Sequence, residues 1–379
     1  MLRMGKFLPR FILGLVGLLC LLALPFSASA QRYDQTNLVS DLTGMAKNTD
    51  PLLVNPWGVT FSKGGPIWLS DNNSGFSTVY NGSGVPYPLG NPYQVAIPLP
   101  TGIQPPPPAA PTGIALNSTT GFVITEGSHS GPAMFIFDTE DGTISGWNLG
   151  VDFKHAVLVV DNSKPGGVDH SMLGAVYKGL AIATITVNKV KETFIFATNF
   201  RDAVIEQYDS KFNFIKSFTT TKVPAGYAPF GIQLIKNQLY VTYAKQDAAK
   251  HDSVAGPGFG YLATFSPVTG KVIKLAISQG NLNAPWGMTI APGTGKFGMF
   301  SGDLLVGNFG DGHINAYVPT TFALVGQLED STGAPLFIDG LWNLTFGSGG
   351  LNVPTTTLLF TAGIMGEQHG LMGTLVPAP

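Results

Sequence analysis

The sequence predicts an all-β fold: a six-bladed β-propeller with four antiparallel strands per blade, closed into a ring by its N-terminal strand. Three observations lead there. A short phrase returns six times, a second apolar run follows each copy at a steady offset, and the last copy runs short of one strand that the N-terminus can supply. The phrase first appears as Asn55-Pro56-Trp57-Gly58-Val59-Thr60-Phe61. It returns as Ala110-Pro111-Thr112-Gly113-Ile114, Tyr177-Lys178-Gly179-Leu180, Ala228-Pro229-Phe230-Gly231-Ile232, Ala284-Pro285-Trp286-Gly287-Met288 and Leu341-Trp342-Asn343-Leu344. Its glycine position, taken by Asn343 in the last copy, steps by 55, 66, 52, 56 and 56 residues. A period of that length filled with short strands marks a propeller blade.

Within each repeat the elements follow in order. The phrase is the innermost strand. About ten residues on comes a second strand that ends in a small residue and then a polar one. These are Ile67 to Asp71, Val123 to Glu126, Ile195 to Asn199, Leu239 to Tyr243, Leu304 to Asn308 and Leu358 to Ala362. Short runs this rich in β-branched and aromatic residues, bounded by Gly, Asn, Asp and Pro, read as buried strands. Third strands are expected at Phe76 to Tyr80, Met134 to Phe137, Val204 to Tyr208, Leu262 to Phe265 and Ile314 to Tyr317. Turns such as Thr139-Glu140-Asp141-Gly142 lead to a fourth, since Asp-Gly accepts the positive φ of a tight hairpin. The wide second step leaves room for an extra strand near Ala156 to Val160. The sixth repeat ends with Leu371 to Val376, and Asn37 to Leu42 resembles the fourth strands elsewhere. Pairing those two hides both edges of an open array.

Residues 1–30 read as a signal peptide, and 31–379 as a single propeller domain. Arg3, Lys6 and Arg10 precede the apolar stretch Phe11 to Leu24, and Ala28-Ser29-Ala30 supplies small residues for cleavage. The stretch is short for a spanning helix, which takes about 20 residues. Membrane contact is therefore expected only in transit, and the mature chain is placed in the periplasm or outside the cell. Cys20, the chain's one cysteine, lies inside this segment behind Leu19, a poor lipoprotein context. The mature chain thus has no disulfide. Its stability has to come from apolar burial between blades. Without the signal the balance is 18 Lys+Arg (21 − 3) against 23 Asp+Glu, with no basic cluster, which argues against nucleic acid. The run Pro105 to Pro108 lies in a loop from Pro98 to Pro111, read as stiff polyproline.

Chemistry in a propeller gathers where loops enter the inner strands and leave the second strands, on one face. Asp71, Glu126, Asn199 and Asn308 end second strands, and two carboxylates with two amides suit Ca²⁺, which takes six to eight oxygens. Asp and Asn at such places also make turns and cap strand ends. Ca²⁺ is the one cofactor the pattern accommodates. Asn55, Trp57, Asn72, Tyr243, Trp286 and Trp342 are candidates for the ligand face. The tryptophans either pack between blades or floor a pocket for a flat or sugar-like ligand. His129 follows Glu126 and His369 follows Glu367, a conceivable mixed site; His155, His170, His251 and His313 show no metal-ligand spacing. The charged loop Ala244 to Gly260 should overhang the mouth of the channel. No nucleophile elbow, phosphate loop, dinucleotide fingerprint or sialidase box is present.

The phrases Asn55 to Phe61, Trp68-Leu69-Ser70-Asp71-Asn72, Gly142 to Trp147, Tyr177 to Leu180 and Ala284 to Gly287 resemble a family of exported bacterial propellers of uncharacterised function, some with PEP-CTERM sorting tails. This sequence ends at Leu375-Val376-Pro377-Ala378-Pro379 without such a tail. More distantly the repeats are similar to NHL-repeat and gluconolactonase-like six-bladed propellers. That likeness implies either a metal-dependent lactone hydrolase or a binding scaffold, and it brings no catalytic residues. The expected function is a module binding a small molecule, glycan or protein at the channel mouth. A Ca²⁺-dependent hydrolase of the lactonase type is the alternative.

Overall fold

The computed structural model describes Met1 and residues 31–102, 107–164, 174–187 and 189–379. The signal segment, the centre of the proline loop and His170 lie outside the described residues. Among those described there is no helix, and the strands form six sheets arranged as propeller blades and one separate two-stranded sheet.

Blade one holds Pro56–Thr60, Ile67–Asp71, Phe76–Tyr80 and Gln94–Ala96, from the channel outward. Blade three holds Tyr177–Val187, Val190–Asn199, Val204–Tyr208 and Phe214–Phe218. Blade four is Tyr227–Ile235, Gln238–Gln246, Gly260–Phe265 and Val272–Ser278; blade five is Pro285–Ile290, Leu304–Asn308, Ile314–Tyr317 and Leu324–Gln327. Blade six takes Leu341–Phe346, Leu358–Ile364 and His369–Pro377 from the end of the chain and Tyr33–Ser40 from its start. Tyr33 pairs with Pro377 and Ser40 with Leu371, so the expected ring closure is present.

Blade two departs from the sequence reading. Its strands are Pro111–Leu116, Phe135–Thr139, Thr143–Trp147 and Val157–Asp161. Val123–Glu126 is not the second strand; it pairs only with His129–Pro132, in a hairpin inserted between inner and second strands. The hairpin accounts for the wide 66-residue step. The segment expected as an extra strand near Ala156 is the blade's ordinary fourth.

The phrase has a structural meaning. In every blade the ladder between inner and second strands skips two residues there: Trp57-Gly58, Thr112-Gly113, Lys178-Gly179, Phe230-Gly231, Trp286-Gly287 and Trp342-Asn343. A bulge re-aims side chains. The glycine is needed because the next blade presses on it. A Cβ on Gly231 would overlap the carbonyl oxygen of Trp286, and one on Gly287 that of Trp342. Six apolar clusters lie between neighbouring blades, such as Leu38, Ile67, Leu69, Tyr80, Leu359 and Met372 between blades six and one. A seventh lies on the axis.

Candidate functional site

The six residues preceding the phrase glycine, or Asn343, hold equivalent positions on the inner strands at one end of the channel. Four are aromatic, and they close it. Trp57 stacks on Trp342 at 3.5 Å between ring centroids, and Trp286 meets both edge-on at 5.9 and 6.0 Å. Phe230 packs on Trp57 and Trp342, and Phe309 stacks on Trp342 at 4.1 Å. The three tryptophans are only 2, 6 and 1% exposed. They therefore pack against one another as a seal and present no open ring face to a ligand.

The remaining two are Thr112 and Lys178. Lys178 carries the chemistry of this face. Its side chain is 2% exposed, and its ammonium lies 5.3 Å from the centroid of Trp57 and 5.7 Å from that of Phe200. It donates to Glu140 Oε1 and to Asp252 Oδ1, the latter at 3.3 Å. A buried ammonium without carboxylate partners would be strongly disfavoured. Glu140 is held in turn by Asn72 Nδ2, at 2.9 Å on its other oxygen. Asn55 Nδ2 donates to Asn72 Oδ1 at 3.3 Å and to Glu367 Oε2 at 2.9 Å, while Asn55 Oδ1 accepts from Trp342 Nε1 at 2.8 Å. Trp286 Nε1 donates to the Lys178 carbonyl at 2.8 Å. One polar network thus crosses the mouth above the aromatic seal and draws on all six blades.

Asp252 comes from the long loop of blade four, which overhangs the mouth as its position in the sequence suggested. Asp247 Oδ1 accepts from the backbone N–H of His251 and of Asp252 and shapes the loop. The His251 imidazole lies 2.8 Å from Asp252 Oδ1. That contact holds Asp252 well below the usual carboxylate range and raises His251. Burial pushes Glu367 up, against the hydrogen bond from Asn55.

The four residues expected to hold Ca²⁺ are not brought together. Asp71 is wholly buried and accepts from Thr78 Oγ1 of its own blade at 2.7 Å; burial raises its carboxyl well above the ordinary value. Asn199 Nδ2 donates to Glu206 at 2.8 Å and Asp202 at 2.9 Å, and Asn308 Nδ2 to Asp311 at 3.0 Å. Glu126 is exposed on the inserted hairpin, facing His129. The reason is strand alternation: successive side chains face opposite ways. The second-strand ends Asp71, Thr139, Asn199, Tyr243, Asn308 and Ala362 turn into the blades. The next residues along, including Asn72, Glu140, Phe200 and Phe309, turn to the axis. Tyr243 accordingly lies in the cluster between blades three and four. Of the ligand-face candidates, Asn55, Asn72, Trp57, Trp286 and Trp342 gather at the mouth. The Glu367 and His369 pair is split, since the His369 imidazole turns to Asp41, 2.6 Å away.

The chain matches no protein-family model. The chain is 31% identical over 345 residues to "Uncharacterized protein R648" of Acanthamoeba polyphaga mimivirus, covering 89% of this chain and 78% of that one. It is also 31% identical over 350 residues to "Uncharacterized protein L690" of the same virus, covering 89% and 84%. The chain belongs to the R648 family. Among solved structures, members of this fold include virginiamycin B lyase from Staphylococcus aureus, with a TM-score of 0.50 over 91% of this chain and 99% of that one. At 15% identity the likeness shows the propeller fold alone.

One residue beside the network offers a pH handle. Asp138 precedes the second-strand end of blade two, where blades three, four and six carry Thr198, Thr242 and Thr361. Its Oδ1 accepts from Gly113 N at 2.6 Å and Thr112 Oγ1 at 2.9 Å, and its Oδ2 has no partner among the described residues. Burial raises its pKa to about 7, partly offset by those hydrogen bonds. A carboxyl raised in the fold keeps its proton there while the unfolded chain loses it. Stability is then full below pH about 4 and falls as pH rises toward 7. Asp138→Asn keeps the acceptor and removes the titration. Denaturant midpoints should show the variant gaining roughly 2–3 kcal/mol more over wild type at pH 8 than at pH 5. An equal difference at both pH values would exclude Asp138 as the titrating group.

Proposed function

We propose that this protein is an exported binding module that engages positively charged groups at the channel mouth. The observation that carries this is the charge of the network. Glu140 and Asp252 both contact the ammonium of Lys178, and Glu367 joins the same network through Asn55, so carboxylates outnumber the ammonium built among them. Asp252 keeps 68% of its side chain open to solvent, where a ligand can reach it. Hydrogen bonds within the network hold its groups in place, so little ordering is needed on binding.

A metal-dependent hydrolase is the second reading. It is favoured by one fact: a donor atom from each of Glu140, His251 and Asp252 can be chosen so that all lie within 4.8 Å of one another. Against it, the ammonium of Lys178 already touches two of the three, and a divalent ion would have to displace it. We expect pentalysine to bind the mature protein and pentaglutamate not to. Binding should weaken with salt and in an Asp252→Asn, Glu367→Gln variant. Millimolar Ca²⁺ should leave the melting temperature unmoved. Saturating an ion site would add about 2.7 kcal/mol at a hundredfold excess over Kd. An upward shift with bound ion found by elemental analysis would replace the binding reading with the hydrolase.

Export is supported by the composition of residues 1–30. Cleavage after Ala30 would also leave the closing strand Tyr33–Ser40 whole. N-terminal sequencing of the secreted protein should begin at Gln31; an intact Met1 in the mature fraction would reverse the assignment.

A further inference from the structure

Below the aromatic seal the channel continues as a cavity of about 270 Å³, to which the mouth reading gives no role. All six inner strands wall it, with Thr60, Gln233 and Thr345 supplying polar side chains beside apolar ones such as Val59, Ile232 and Leu234. None of the described residues lining it is ionisable. A charged guest would lose its hydration there and meet no counter-charge. An uncharged guest escapes that cost.

One polar side chain on the wall breaks the sixfold pattern. Five copies of the phrase have glycine where the sixth has Asn343, and Asn343 lines the cavity. Its backbone N–H donates to Thr361 Oγ1 at 3.1 Å, and its side-chain amide has no hydrogen-bond partner among the described residues. An amide offers one acceptor and two donors, which suits a carbonyl, carboxamide or hydroxyl head. The volume has room for roughly nine waters at about 30 Å³ each, hence for a short-chain molecule.

We infer that the channel is a second binding site, for a small uncharged molecule whose polar head is held by Asn343. The inference is independent of what binds at the mouth. A matched series tests it on the mature protein by calorimetry: hexanamide, hexanoate and hexylammonium. Hexanamide should bind in the millimolar range or better, and the two ions roughly tenfold more weakly or not at all. Asn343→Gly installs the residue of the other five copies; it should keep the wild-type melting temperature and weaken hexanamide about three- to tenfold. Asn343→Asp should move the preference to hexylammonium. Absence of hexanamide binding at millimolar concentration would overturn the site, as would equal binding of all three compounds. Unchanged hexanamide affinity in a folded Asn343→Gly protein, or unchanged preference in Asn343→Asp, would remove Asn343 as its anchor.

Discussion

A mature chain lacking residues 31–42 is expected to lose its folded ring altogether. Those residues include the outer strand of blade six, and they bury Tyr33, Leu38 and Val39 almost completely. Leu38 and Val39 alone contribute about 3–6 kcal/mol by apolar burial. Deletion also strips the outer of its two strand partners from His369–Pro377, whose ladder with Tyr33–Ser40 runs from Pro377 to Leu371. The hydrogen bonds from Tyr33 Oη to the Phe297 carbonyl and from Ser40 Oγ to the Gly370 carbonyl go with it. Domains are stable by about 5–15 kcal/mol in total, so the loss is of the same size as the whole. Circular dichroism should show no cooperative melt in the truncated protein, and a synthetic peptide of residues 31–42 added in trans should restore one. A truncated chain that melts cooperatively within a few degrees of the intact one would refute the clasp.

The second large effect is expected at the mouth. Replacing Glu140 with Leu leaves the Lys178 ammonium, at 2% exposure, with Asp252 as its one remaining carboxylate. Breaking a buried pair from one side costs about 3–5 kcal/mol, whereas replacing both partners with apolar groups is often close to neutral. Glu140→Leu and Lys178→Met should therefore each destabilise strongly, and the double variant should recover most of the loss. Urea midpoints of the four proteins close the cycle. Single variants within about 1 kcal/mol of wild type would mean that the pair behaves as a solvated surface bridge.

Much of the ring was legible in the sequence because the phrase encodes a physical constraint. Gly231 and Gly287 are glycines because the neighbouring blade's carbonyl takes the place of a side chain. Trp57, Trp286 and Trp342 hold equivalent positions because the bulge turns each to the axis. Blade two misled for an identifiable reason: Val123–Glu126 has the composition and offset of a second strand, yet pairs with its own hairpin partner. The site was harder to see. Lys178 stood in the phrase where four of the other five copies carry Trp or Phe, and that exchange of an aromatic for a cation was the available signal. Its partners Glu140 and Asp252 lie 38 and 74 residues away in separate loops, and only the assembled ring joins them. The choice of Asp71, Asn199 and Asn308 missed the axis by a single residue, since alternation gives it to the residue that follows.

The aromatic seal divides the channel, and one of its members touches both compartments. Trp286 lines the lower cavity, and its Nε1 donates to the backbone of Lys178 above. A guest below that tilts this indole pulls on the carbonyl behind the ammonium, and a guest above that shifts Lys178 pushes back. Linkage is reciprocal, so any change that one occupant makes in the affinity of the other must be returned by the same factor. If Trp286 stays fixed, the two compartments report independently; if it turns, the propeller relays between its two faces.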